Sequence, residues 1–145
     1  MADTAQTEAD YQRLLVASGI RPTRQRILVL EALAAEPNDA TAQQIHARLR
    51  DEGHRIGLAT VYRTLSVLSR SAVVDALMHR PAEACYRLCA ADDHHHHLVC
   101  TECHRVVELA DCELEPWLAQ LGAEQGFRVT AHTVEVAGLC ANCAA

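Results

Sequence analysis

The chain has 145 residues, enough for one domain or two small ones. Half are hydrophobic and 22% are charged, a balance that excludes wholesale disorder and lets a core form without disulfide staples. No apolar run reaches the roughly 18 residues of a membrane span. The first residues, Met1-Ala2-Asp3-Thr4, lack the basic-then-apolar pattern of a secretory leader, so a cytosolic protein is expected.

The formal charge of −6 hides an asymmetry. From Tyr11 to Arg70 nine Arg face five acids, a net of +4; from Ala76 onward four Arg face ten acids, a net of −6. All seven Cys lie in the acidic part, and every basic residue is Arg. An odd Cys count in a reducing compartment points to metal or redox chemistry and away from a disulfide framework.

In chain order, a first helix is expected over about Glu8–Ser18, closed by Gly19. Thr23 caps a second, with Ile27, Leu30 and Leu33 on one face, which stops near Glu36-Pro37-Asn38. Thr41-Ala42-Gln43-Gln44 is a capping box for a third helix, which buries Ile45 and Leu49 and ends at Gly53. A fourth follows Gly57, with Leu58, Val61, Leu65 and Leu68 at helical spacing. Opposite that stripe fall Ala59, Arg63, Ser66 and Arg70, with Thr60 and Tyr62 on its flanks.

Those outward residues suit a helix in the DNA major groove, where Arg bonds guanine edges and Tyr reaches a phosphate or a thymine methyl. The alternative is a plain solvated face. Two short apolar segments, Ala72–Met78 and Ala84–Leu88, then enclose the polar turn His79–Glu83. Strands in that position make a wing, hence a winged helix. Tyr11, Arg13, Arg21, Arg24 and Arg26 are placed to touch phosphates, whereas Arg48, Arg50 and Arg55 read as ordinary surface charges.

In the acidic half, His94-His95-His96-His97 leads into Leu98-Val99-Cys100. On a strand, alternate side chains face opposite ways, so His94 and His96 serve one site and His95 and His97 another. Each pair needs two more donors for tetrahedral zinc. Asp75, Cys89, Asp92, Asp93, Glu102, Glu108, Asp111, Cys112, Glu113, Glu115 and His132 are all candidates that spacing leaves open. Cys100-Thr101-Glu102-Cys103 and Cys140-Ala141-Asn142-Cys143 are two knuckles 36 residues apart. Four thiolates so arranged fit a closed zinc site, while a redox pair needs only one knuckle. Trp117, Leu118 and Leu121 read as the apolar face of a helix opened by Cys112-Glu113, and Val129–Val136 as a strand. His46, His79 and His104 read as surface residues, and Cys85 as core.

Taken together, Arg21–Arg26, Gly57–Leu65, His94–Cys103 and His132-Thr133-Val134-Glu135 resemble the ferric uptake regulator family, and within it the zinc uptake regulator branch, over nearly the whole chain. The resemblance implies an α+β protein. It has an N-terminal winged-helix DNA-binding domain (1–88), a hinge (89–93) and a C-terminal α/β zinc-binding dimerisation domain (94–145).

It also implies up to three Zn²⁺ per subunit: a structural ion on Cys100, Cys103, Cys140 and Cys143, a sensing ion on Asp75, Cys89, His95 and His97, and an additional ion on His94, His96, Glu115 and His132. The strand-parity argument divides the four His in the same way. DNA contacts fall on Arg24, Thr60, Tyr62 and Arg63. The partners implied are a second copy of the chain and an AT-rich palindromic operator in double-stranded DNA. The thiolate of Cys89 favours zinc over Fe²⁺ at the sensing site.

The expected function is a zinc-responsive repressor of zinc-uptake genes. Alternatives are an iron, nickel or peroxide sensor of the same family, a zinc-dependent hydrolase, or a zinc-ribbon interaction module. The hydrolase needs an open coordination position and a general base; Glu102 or Glu115 is available, but no His-Glu-x-x-His motif is present.

Overall fold

The computed structural model describes residues 6–89 and 94–145. Most of the expected hinge, and with it Asp92 and Asp93, lies outside the described residues. The chain divides into two compact units, Met1–Ala90 and Ala91–Ala145.

The first unit holds α1 (Glu8–Ala17), α2 (Arg24–Ala34), β1 (Ala40–Thr41), α3 (Ala42–Asp51), α4 (Leu58–Arg70), β2 (Val74–Arg80) and β3 (Glu83–Leu88). Side-chain caps start three of the four helices. Thr23 accepts from the Arg26 N–H at 3.3 Å. Thr41 and Gln44 satisfy each other's backbone N–H groups at 3.2 and 2.9 Å, and Thr7 and Asp10 form a second reciprocal box. Each such cap is worth about 1 kcal/mol.

The core takes one stripe from each helix: Tyr11 and Leu15, Ile27, Leu30 and Leu33, Ile45 and Leu49, then Val61, Leu65 and Leu68. Burying an aliphatic side chain of this size contributes roughly 1.5–3 kcal/mol. Tyr11 is therefore a core residue, not a phosphate contact; it is 3% exposed. Its ring lies one helical turn from Leu15 on the same stripe, and burial raises its phenol above the usual range.

β2 and β3 pair antiparallel and β1 adds to β3, giving the sheet order β1-β3-β2. This is the wing, and the unit is a winged helix. The turn between the strands is tighter than expected, since only Pro81 and Ala82 separate them. A register shift lies between Leu77 and Arg80, and such a bulge re-aims the side chains beside it. His79, expected at the surface, instead has a side chain only 1% exposed and is bonded to Asp39.

The second unit is built on β4 (His96–Cys100), flanked by antiparallel β5 (Val106–Leu109) and parallel β6 (Glu135–Gly138), with α5 (Glu115–Gln125) between β5 and β6. The expected strand Val129–Val136 forms only from Glu135 onward. Among the described residues of this unit, Val99 and Cys100 are the buried hydrophobics. Trp117, on the expected apolar face of the helix, is 57% exposed, and Leu121, Phe127, Val129, Val136 and Leu139 are exposed as well. Hydrophobic burial within one chain is too small to hold a piece of about 50 residues together.

Candidate metal centres and nucleic-acid interface

β4 runs straight from the His cluster into the first Cys knuckle. The Cys100 N–H donates to the Arg105 carbonyl at 2.9 Å and the His104 N–H returns to Cys100 at 3.0 Å, closing the turn. The second knuckle closes likewise, with the Cys143 N–H donating to the Cys140 carbonyl at 2.9 Å. Thr101 bonds the Gly138 carbonyl at 2.9 Å and so ties the two knuckles together.

The Sγ atoms of Cys100, Cys103, Cys140 and Cys143 consequently lie within 4.8 Å of one another. Cys103 Sγ is 3.7 Å from Cys140 Sγ, and the Cys140 N–H points at Cys100 Sγ at 3.4 Å. Backbone N–H groups, that of Cys103 first, push the Cys100 thiol down to about 6. Bonds to Cys140 and Cys103 push the Cys143 thiol up to about 12. Four sulfurs this close cannot all ionise without a cation, and an all-thiolate tetrahedral set is the donor chemistry of zinc.

The histidines separate by face. His94 Nε2 lies 3.2 Å from His96 Nε2 and 3.0 Å from His132 Nε2. The Val134 N–H, donating to His96 Nδ1 at 3.2 Å, anchors that ring. Burial first, then His94 and His132, holds the His96 imidazole below its ordinary range.

The fourth donor within reach of this group is Cys112, whose Sγ is 3.1 Å from His132 Nε2. Glu115 lines the same cleft with His94 and His132, but it lies outside the 4.8 Å set. As the first residue of α5 it is exposed, held by the helix start rather than by the sheet.

His95 and His97 meet on the other face, ring centroids 4.9 Å apart. Glu108, opposite His97 on β5, joins them. Of the remaining residues in the sensing set, Asp75 lies on β2 opposite Arg87, and Cys89 follows β3, with its N–H on the Val73 carbonyl at 3.2 Å. Asp75 and Cys89 belong to the first unit, His95 and His97 to the second.

In the first unit, α4 turns Val61, Thr64, Leu65 and Leu68 inward. It leaves Ala59, Tyr62, Arg63 and Arg70 exposed, with Thr60 half-buried. Arg70 folds back on Ser66, donating to its hydroxyl at 2.9 Å. Arg24, at the start of α2, pairs with Glu8 at 3.0 Å, and both groups are largely exposed. Such a pair is worth about 0–1 kcal/mol, so Arg24 is readily recruited elsewhere. Arg48 is held by Glu36 at 2.7 Å.

Sequence reasoning did not assign Glu108, Cys112 or the Asp39–His79 contact. The first follows only from strand register. Cys112 carried one signal, its place one helical turn before Glu115.

A winged helix joined to a small α/β unit dense in clustered thiols and imidazoles defines a class: winged-helix proteins equipped with metal donors. The chain matches the ferric uptake regulator family over residues 17–137. It is 42% identical over 127 residues to the zinc uptake regulation protein of Mycobacterium tuberculosis, covering 88% of this chain and 97% of that one. It is 32% identical over 133 residues to the ferric uptake regulation protein of Escherichia coli, covering 91% and 89%. Among solved structures, a zinc uptake regulator complexed with zinc and DNA superposes with a TM-score of 0.82 at 25% identity, covering 99% and 97%. The chain belongs to the ferric uptake regulator family.

Proposed function

We propose that the chain is a zinc-responsive transcriptional repressor of zinc-uptake genes, a cytoplasmic homodimer without enzymatic activity. The observation that carries this reading is the pairing of an exposed Tyr62–Arg63 helix face with more clustered metal donors than a structural ion needs. The zinc uptake regulation protein at 42% identity and the regulator complexed with zinc and DNA support it.

In this reading Arg63, Tyr62 and Thr60 approach base edges and phosphates, while Arg24 exchanges Glu8 for a phosphate. Cys100, Cys103, Cys140 and Cys143 hold the second unit together, replacing the core it lacks. The exposed Trp117, Leu121 and Phe127 supply apolar surface for a second copy.

Asp75 and Cys89 from the first unit, with His95 and His97 from the second, form the sensing set. Zinc supplies a tetrahedral cross-link when bound there. The four donors then favour one arrangement of the units over others, and in a dimer that fixes the spacing of two recognition helices, as a palindrome requires. A differential of about 1–3 kcal/mol changes DNA affinity roughly 5–150-fold. His94, His96 and His132 hold a further ion, with Cys112 within reach of it and Glu115 lining the same cleft.

Selection from a random duplex pool tests the reading, run with zinc, with Fe²⁺ under anaerobic conditions, and with a chelator. One palindrome enriched with zinc alone is expected. Enrichment with Fe²⁺ as well makes the protein a broader metal sensor, and none in any lane removes the regulator reading.

A further inference from the structure

Three residues of the first unit that this reading leaves unused converge beneath the wing. Asp39 immediately precedes β1, Cys85 sits on β3 between Thr41 of β1 and Leu77 of β2, and His79 lies on β2 within the bulge. A carboxylate oxygen, an imidazole nitrogen and the thiol sulfur lie within 4.8 Å of one another. The side chains of Asp39 and His79 are 0% and 1% exposed, and Cys85 is 0% exposed.

One Asp39 oxygen bonds the His79 ring. The other, Oδ1, is buried with no hydrogen-bond partner among the described residues. A buried carboxylate oxygen left unbonded is costly, and native structures rarely retain one without a use.

We propose that Asp39, His79 and Cys85 form a metal centre for a divalent cation of the zinc type, inside the winged-helix unit and independent of the donor sets of the second unit. One sulfur, one nitrogen and one oxygen are the donor mix that borderline-soft zinc accepts, and three protein donors leave one coordination position for water. The charges balance. A dication, one carboxylate, one thiolate and a neutral imidazole sum to zero, so the complete centre is buried without net charge. As the metal–sulfur bond forms, the Cys85 S–H bond breaks and its proton leaves to solvent. The centre joins the segment ahead of β1 to β2 and β3, so it pins the wing at its bulge.

The test counts zinc per full-length chain by native mass spectrometry after equilibration against one zinc buffer. Wild type is compared with Cys85→Ser, His79→Gln and Asp39→Asn, the fold of each checked by circular dichroism. Each folded variant is expected to carry one zinc fewer than wild type. Cobalt-loaded Cys85→Ser is also expected to lose part of the thiolate-to-cobalt absorption. Asp39→Asn keeps the shape of the side chain and decides the matter if the other two fail to fold. Zinc content equal to wild type in the folded variants overturns the proposal and leaves a buried Asp39–His79 pair beside a packed thiol. The comparison is a difference between chains, so it stands whether or not the protein proves to be a repressor.

Discussion

Cys112 Sγ lies 3.1 Å from His132 Nε2, which brings a thiol into the group of donors formed by His94, His96 and His132. Sulfur binds zinc more strongly than a solvated carboxylate does. Cys112→Ala is therefore expected to weaken zinc retention at this centre more than Glu115→Gln, read by competition with a chromophoric chelator. Greater loss from Glu115→Gln reverses the order of the two donors.

Cys89 and Cys100 differ in what depends on them. Cys89→Ser is expected to leave a folded dimer whose DNA affinity no longer responds to zinc, whereas Cys100→Ser unfolds the second unit. Size-exclusion chromatography with a zinc-dependent duplex titration separates the outcomes. Unfolding of Cys89→Ser to the degree of Cys100→Ser makes its site structural.

Arg63 is exposed on α4. Arg63→Ala is expected to lower operator affinity by about 1–3 kcal/mol and leave zinc content unchanged. Wild-type affinity in a fluorescence anisotropy titration removes α4 from the interface.

At Gly122 a methyl group would lie 2.8 Å from the Phe127 carbonyl oxygen and 2.9 Å from Val129 Cγ2. The Phe127 N–H also bonds the Gly122 carbonyl at 2.7 Å, so the close approach is fixed by backbone. Gly122→Ala gains about 1 kcal/mol of helix propensity and loses about 1–3 kcal/mol to overpacking. A net loss of stability in the second unit is expected in urea titrations; unchanged or higher stability shows that the 127–129 segment yields.

His96 is held below the ordinary histidine value of 6.5 by burial and its neighbours. The unfolded chain takes up that proton first, so stability is intact above about 6.5 and is lost progressively as pH falls below it. Unfolding across pH 5–8 of protein that keeps the four-cysteine zinc but is stripped of the ion at the histidine group is expected to follow this slope, and His96→Gln to flatten it.

The sequence made the first unit legible because its signals are local. Thr23 and Thr41 mark helix starts through bonds made within three residues, and the apolar stripe of α4 declares its buried side. The division of the four histidines followed from strand geometry alone. What escaped depends on partners far along the chain. The bulge that turns His79 inward is a property of β2–β3 register, and Glu108 meets His97 only because β5 pairs with β4 at that offset. The stripe Trp117–Leu121 was visible as apolar, but periodicity shows which face is apolar and not what covers it.

The run of four histidines has a further consequence for how this chain tolerates change. Composition suggests redundancy, with four imidazoles where two pairs are used. Yet β4 assigns each ring to a face by parity, and Val99 and Cys100 at its other end fix where counting begins. Because the four residues are identical and the count starts from Val99 and Cys100, deleting any one of them leaves imidazoles at the places of His95, His96 and His97. Only the one at the place of His94 is removed, so one donor group loses a ligand and the other keeps its pair. Substituting one histidine damages a single group. A one-residue slip that would reverse both faces of a mixed strand is thus absorbed by the run itself, and the two lesions differ only in which group they strike: a deletion always the group of His94, a substitution either one.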